Sequence, residues 1–194
     1  MKHFVYFSNS ATTSGKALSE GNLMKAGRID IAIHSFIQGV FLSHDFREDV
    51  KFHFVFYGQP DPPRHLEIQV KEESTISKKD VGNLIKKMLY KYKEGKKTEV
   101  FPGCFIEKKS FLKVVEELME EENAIFILDK KGEDLRKTQI PKDCVFIIGD
   151  QDGFPQKELR RLKNYYKTIS VGPLTYFASQ TVVIINNELD IRGI

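Results

Sequence analysis

Two short apolar runs near the end of this chain stop at glycine. Residues 144–148 lead into Gly149-Asp150-Gln151-Asp152-Gly153-Phe154-Pro155, and residues 168–171 lead into Gly172-Pro173-Leu174-Thr175-Tyr176. In α/β proteins, ligands sit beyond the carboxyl ends of inner strands. Glycine at those ends lets main-chain N–H and C=O groups approach a ligand closely. Such groups read the edge of a purine, and Leu128, Pro173 and Leu174 are apolar enough to cover its faces. This favours transfer from a bound nucleoside cofactor, driven mainly by positioning. A second set of groups lies in the front half: Arg28 with Asp30, and Asp45 with Arg47. A carboxylate can accept a proton and an arginine can stabilise developing charge. The structural alternative is a pair of salt bridges.

Other chemistries lack support. The chain has neither G-x-G-x-x-G nor G-x-x-x-x-G-K-[ST], and no Cys/His cluster at zinc spacing. His44-Asp45 resembles a metal-phosphohydrolase pair, but the further ligands cannot be placed. Asp150 and Asp152 would either hold Mg²⁺ or cap their own turn, as Asp does in glycine-containing loops. No metal is expected.

These groups need a frame. Residues 2–7 read as a strand, rich in aromatic and β-branched side chains. Ser8 to Lys25 reads as a long loop. Ile29, Ile33, Phe36, Ile37, Val40 and Phe41 follow helical spacing up to Leu42, and His34 in their midst reads as structural. Strands follow at 51–57 and 65–70, joined by a proline-stiffened turn. Ser77 starts a helix through Leu89 whose other face is lined with lysines, either a solvated surface or a phosphate track. A short strand at 101–106 and an amphipathic helix at 110–122 come next. Residues 124–128 read as a strand and 129–132 as a turn, with a basic helix at 155–166 between the two glycine-ended strands. Lys157, Arg160 and Arg161 of that helix would extend a phosphate track. Strand alternating with helix predicts a mostly parallel sheet covered on both faces. The segment 181–185 is ambiguous: its β-branched run favours a strand, yet residues 186–190 continue it in a helix-compatible way, and Ser179 could cap it.

At 194 residues the chain suits one large or two small domains, and 41% hydrophobic content is enough for a sizeable core. The net charge of +3 says little about a polyanionic partner by itself. Two cysteines, Cys104 and Cys144, and no signal-peptide pattern suit a cytoplasmic protein with free thiols. No apolar stretch is long enough for a bilayer span.

The motifs themselves carry a resemblance. Phe146-Ile147-Ile148-Gly149-Asp150-Gln151-Asp152-Gly153, the run from Ile169 to Gln180, and Asn187-Glu188-Leu189-Asp190 resemble the C-terminal motifs of SPOUT-class RNA methyltransferases. Gly27-Arg28-Ile29-Asp30, Phe41-Leu42-Ser43-His44-Asp45-Phe46-Arg47 and Tyr57-Gly58-Gln59-Pro60 resemble one branch, the archaeal tRNA pseudouridine-54 N1-methyltransferase family. A sister family that methylates pseudouridine in ribosomal RNA is the runner-up.

The resemblance implies an α/β fold with a C-terminal trefoil knot, S-adenosyl-L-methionine as cofactor, tRNA as partner, and a homodimer packed through the last helix. It implies one domain over 1–194, with 1–100 facing RNA and 101–194 holding the cofactor. Carried over by position, Leu128, Gly149, Ser170, Val171, Gly172, Pro173, Leu174, Tyr176, Ala178, Ser179 and Thr181 line the cofactor pocket. The family pattern has cysteine where this chain has Thr181. Arg28, Asp30, Asp45 and Arg47 are the catalytic candidates. A non-catalytic RNA-binding module that keeps a degenerate pocket is the alternative from another class.

Overall fold

The structure is a computed structural model that describes residues 1–19, 23–72 and 76–194. Its strands are β1 (Lys2–Ser8), β2 (Val50–Phe56), β3 (Arg64–Ile68), β4 (Thr98–Phe101), β5 (Cys104–Glu107), β6 (Ala124–Asp134), β7 (Cys144–Gly149) and β8 (Lys167–Ser170). They form one sheet in the order β4-β5-β3-β2-β1-β7-β6-β8. The five strands from β2 to β8 in that order pair in parallel, whereas β3, β5 and β4 add an antiparallel margin. The helices are α1 (Gly15–Ser19), α2 (Ile29–Val40), α3 (Val81–Tyr90), α4 (Phe111–Glu120), α5 (Gln156–Lys163) and α6 (Ala178–Ile191).

The chain buries every residue of β1, as a strand covered on both faces must. Its even positions Phe4 and Tyr6 meet α2 and α6, and its odd positions Val5 and Phe7 meet α4 and α5. Phe4 stacks with Phe52 of β2 and Phe146 of β7 at centroid distances of 5.8 and 5.6 Å. Helices therefore cover both faces, as the alternating pattern predicts.

Several elements differ from the expected ones. The stretch from Ser8 to Lys25 contains α1, although residues 20–22 of it lie outside the described residues. The single strand expected at 101–106 is a hairpin of β4 and β5, turned at Gly103 with φ 76°. The turn expected at 129–132 instead continues β6 past a register shift, so that Leu128 and Glu133 both face Ile169 of β8. Gly132 makes this crossing feasible: a Cβ there would lie 2.5 Å from the Ile169 nitrogen.

The ambiguous C-terminal run is a helix, and Ser179 lies inside its first turn rather than capping it. Gln180 Oε1 instead accepts the Phe177 N–H at 3.0 Å. Val182, Ile185 and Leu189 are fully buried on the same side of the sheet as α2. Burying one such side chain is worth about 1.5–3 kcal/mol, against a helix-propensity loss of at most about 0.7 kcal/mol per residue. Packing therefore outweighs local preference. Gly39 of α2 permits the close approach, since a Cβ there would lie 3.0 Å from Val182. Asn186 Nδ2 then donates to the Gly39 carbonyl at 2.9 Å.

A buried polar line crosses the sheet from the start of β1 to β5. His3 Nδ1 lies 3.0 Å from His53 Nε2, His53 Nδ1 lies 3.0 Å from His65 Nε2, and His65 Nδ1 lies 3.0 Å from Glu107 Oε1. One tautomer satisfies all three rings: each Nδ1–H donates toward the carboxylate. Burial lowers the pKa of His3 to about 4 and lowers those of His53 and His65. His53, His65 and Glu67 are also close enough together to suit a metal ion, but Glu67 is already neutralised by Lys51 and Lys97.

The pKa shifts fix a sign. The folded rings stay neutral while unfolded histidine protonates near 6.5. Their contribution is fully present above about pH 6.5 and is lost as pH falls toward about 4. Urea unfolding between pH 7.5 and 4.5 is expected to show stability dropping through this window. His3→Gln, which retains a donor at the end of the line, is expected to reduce the slope by about one proton. An unchanged slope in that variant would show that His3 is protonated equally in both states.

Candidate functional site

A cavity of about 500 Å³ opens beside residues 128–130 of β6 and the carboxyl ends of β7 and β8, with the segment leading into α6 supplying part of its wall. Leu128, Ile148, Ile169 and Leu174 supply apolar wall, and Gly149 and Gly172 supply bare main chain. The volume suits a nucleoside-sized ligand. A side chain at either place would crowd its loop. A Cβ on Gly149 would lie 3.0 Å from the Gly153 Cα, and one on Gly172 would lie 2.8 Å from the Tyr176 hydroxyl. Ser170 Oγ donates to the Gly172 carbonyl at 2.9 Å and accepts from the Gly172 N–H at 3.2 Å, which fixes the course of the second loop.

The first loop is fixed by Asp150, which is almost fully buried. Its Oδ2 accepts from Ser8 Oγ at 2.6 Å and from the Asn9 N–H at 3.1 Å, and its Oδ1 accepts from the Asp152 N–H at 2.9 Å. The Gly153 N–H closes the turn onto the Asp150 carbonyl at 3.0 Å. Burial raises the Asp150 pKa, while these donors oppose the rise. Asp150 therefore acts as the turn-former of the two readings, joining the exit of β1 to the exit of β7. Ser8 is the centre of this joint, because its Oγ also accepts from the Ala11 N–H at 3.0 Å.

The cavity wall includes Leu128, Gly149, Ser170, Val171, Gly172, Leu174, Tyr176, Ala178 and Thr181 from the expected set. Pro173 and Ser179 are not among the lining residues. Thr181 is buried, and its N–H bonds to the Phe177 carbonyl at 2.9 Å in the first turn of α6. The wall also uses Ile31, Phe154 and Leu159, which sequence inspection assigned only to helix or loop positions.

The four charged candidates do not line the cavity, and they divide. Arg28 and Asp30 form a two-pronged pair, with Nε and Nη2 each 3.0 Å from a carboxylate oxygen. The Arg28 hydrogen bond holds the Asp30 carboxyl below its usual pKa. Arg28 adopts a left-handed backbone, φ 59° and ψ 38°, as it enters α2. That conformation is uncommon outside glycine and asparagine and marks a locally constrained residue. Asp30 precedes the wall residue Ile31, and both Asp30 and Asp150 act electrostatically on the buried Tyr6 hydroxyl. This pair thus adjoins the cavity.

The expected Asp45–Arg47 pair does not form. Arg47 reaches Asp190 of α6 with two bonds, Nη1 at 2.6 Å and Nη2 at 2.5 Å, while Asp45 Oδ1 accepts the Phe46 N–H at 2.8 Å. Arg47 is therefore a tie between the segment after α2 and the last helix. Residues 143 apart in sequence supply this pair, and no local spacing reveals it.

A family model described as "Putative SAM-dependent RNA methyltransferase" matches residues 1–194. The chain belongs to this family. Among curated relatives of this methyltransferase, the tRNA (pseudouridine(54)-N(1))-methyltransferase of Methanococcoides burtonii is 31% identical over 98% of this chain and 96% of its own. The protein of the same name from Methanocaldococcus jannaschii is 32% identical over 100% of this chain and 98% of its own. The crystal structure of Archaeoglobus fulgidus Nep1 bound to S-adenosylhomocysteine superposes with a TM-score of 0.65 at 13% identity, covering 100% and 99% of the two chains. That likeness concerns the fold.

Removing the Ser8 hydroxyl tests the joint between the two halves of the methyltransferase. Ser8→Ala leaves buried Asp150 short of a donor and is expected to cost about 1–3 kcal/mol in urea unfolding at pH 7. A loss below about 0.5 kcal/mol would mean that water or Asn9 replaces the bond.

Proposed function

We propose that this protein transfers a methyl group from S-adenosyl-L-methionine to N1 of pseudouridine at position 54 of the tRNA T-loop. The observation that carries the reading is the glycine-walled cavity at the carboxyl ends of β7 and β8, in a chain whose full length matches named pseudouridine-54 N1-methyltransferases. Main chain at Gly149 and Gly172 would meet the edge of the adenine, and Leu128 and Leu174 would cover its faces. The cofactor supplies an electrophilic methyl group when bound.

The remaining chemistry falls to this chain. N1 of pseudouridine carries a proton that must leave as the nitrogen attacks. Asp30, whose charged form Arg28 further stabilises, accepts the N1–H hydrogen bond and then the proton. Arg28 faces the charge that spreads to the neighbouring carbonyl. The pair orients the base from the side of α2, while Ile31 carries that helix into the cavity wall. Arg47 holds α6 through Asp190 and so acts on the site from a distance.

Further parts of the reading go with this one. The front half, residues 1–100, faces the RNA, and residues 101–194 hold the cofactor, although one sheet runs through both. The chain threads a trefoil knot where Gly132 crosses Ile169, a reading supported by the shared register of Leu128 and Glu133. Two copies pair through α6, whose Val183 and Ile191 are exposed apolar side chains. The protein works in the cytoplasm without a metal.

The test uses methyl-labelled cofactor and T-arm hairpins with pseudouridine or uridine at position 54, alongside a pseudouridine-containing ribosomal RNA fragment. Label is expected only in the pseudouridine T-arm. Equal labelling of the uridine hairpin would overturn the pseudouridine assignment, and preference for the ribosomal fragment would overturn the tRNA assignment. Asp30→Asn is expected to lower turnover by about 10²–10⁴-fold while S-adenosylhomocysteine affinity, measured by calorimetry, stays within a factor of about two.

A further inference from the structure

The charge of this chain is unevenly placed. Residues 77–97 contain eight lysines against Asp80 and Glu94, a net +6, while the whole chain carries +3. Everything outside that stretch therefore carries a net −3. The stretch covers a 3-10 turn at Lys78–Asp80, α3 and the segment leading to β4. Its apolar side is fully used, since Val81, Leu84, Ile85, Met88 and Leu89 are buried.

Some of these lysines already have work. Lys78 bonds to the Leu42 and Ser43 carbonyls, Lys97 pairs with Glu67, and Lys87 lies over Phe101. Lys79, Lys86, Lys91, Lys93 and Lys96 form no ion pair among the described residues. Exposed Tyr90 lies among them. The segment is held firmly, because the Arg64 guanidinium lies 3.3 Å from the centre of the Tyr92 ring.

The fold places this cluster on the same sheet edge as the cavity. Thr13 bonds to Gln59 through its N–H at 3.1 Å and to Gly58 through its hydroxyl at 3.0 Å, just past the carboxyl end of β2. Gly15, two residues later, packs directly on the last turn of α3: a Cβ there would lie 2.6 Å from the Tyr90 ring and 2.9 Å from the Lys86 carbonyl. The α3 helix also lies against β5, four strands from β7 in the sheet. At about 4.8 Å per strand that is on the order of 20 Å from the cavity.

We infer that the lysine cluster from Lys86 to Lys96 grips the phosphates of the paired stem that flanks the methylated loop. This rests on the function proposed above. A free cationic surface on one edge complements a polyanion, and a spacing of some 20 Å is too long for contact with the target base itself. Duplex RNA is recognised mainly through its backbone, which suits flexible ammonium groups better than a base-reading pocket.

The test compares two triple variants that lose the same charge. One is Lys86→Ala, Lys91→Ala and Lys93→Ala. The control is Lys113→Ala, Lys137→Ala and Lys142→Ala, all exposed and outside the cluster. Binding is measured for a pseudouridine hairpin and for its loop sequence as an unpaired oligonucleotide, across a range of salt. The cluster variant is expected to lose about tenfold or more in hairpin affinity near 0.15 M salt, with a shallower salt slope by about 0.9 per lost phosphate contact. Its KM for the hairpin should rise while S-adenosylhomocysteine affinity stays put.

Equal loss in both variants would overturn the inference yet leave the methyl-transfer reading intact. Equal loss for hairpin and unpaired loop would overturn the assignment to the stem. Failure of the unaltered protein both to bind the hairpin and to methylate it would overturn the inference together with the reading beneath it. Loss of binding to phosphatidylserine vesicles, with hairpin affinity unchanged, would assign the surface to lipid instead.

Discussion

Parallel pairing of β1 with both β2 and β7 is the constraint from which the rest follows. Parallel strands send their carboxyl ends to one edge, so every loop that leaves them starts at that edge. There Ser8 pairs with Phe56, and Phe7 pairs with Gly149. The buried bond from Ser8 to Asp150 then locks the first exit loop to the second. Without that alignment, residues 142 apart could not be joined beside the cavity. The antiparallel margin of β3, β5 and β4 widens the platform without entering the cavity wall.

Charge is distributed to match. Near the cavity the ionic groups are of mixed sign: Asp129 pairs with Lys163 and Asp30 with Arg28, while Lys130 and Asp152 of the wall form no ion pair among the described residues. The densest run of cations without an ion pair among the described residues lies on α3 and just beyond it. An enzyme that binds a neutral nucleobase edge and a polyanionic backbone gains from this separation. A strong positive field beside the methyl donor would favour phosphate over base there, whereas the same charges at a distance strengthen encounter and orientation.

The histidine line from His3 to Glu107 belongs to a different part of the design. It spans β1, β2, β3 and β5, and so joins the parallel core to the antiparallel margin with polar bonds instead of apolar contact. Each ring is an alternate residue of its strand, yet an apolar side chain in those positions would read as ordinary core. The feature depends on four strands lying in one particular register, which their separate sequences do not state.

Much of the site could be read from local residues. Apolar runs ending at Gly149 and Gly172 marked the cavity, because a buried strand and a close main-chain approach both leave a local trace. Leu128, Gly149, Gly172 and Leu174, read from those runs, do line the cavity, whereas the other five expected wall residues found there came with the family resemblance. The helical character of 178–191 left only an ambiguous trace, since Val182, Val183, Ile184 and Ile185 favour a strand until α2 offers a face that buries Val182 and Ile185. The partner of Arg47 was equally hidden: Asp45 is near in sequence, but α6 brings Asp190 within reach. Local sequence determined the strand ends, the helical faces and the charge of residues 77–97. Tertiary structure alone decided the pairing of distant charges, the state of the last helix and the edge on which the lysines lie, because each depends on free energy gained only between segments far apart along the chain.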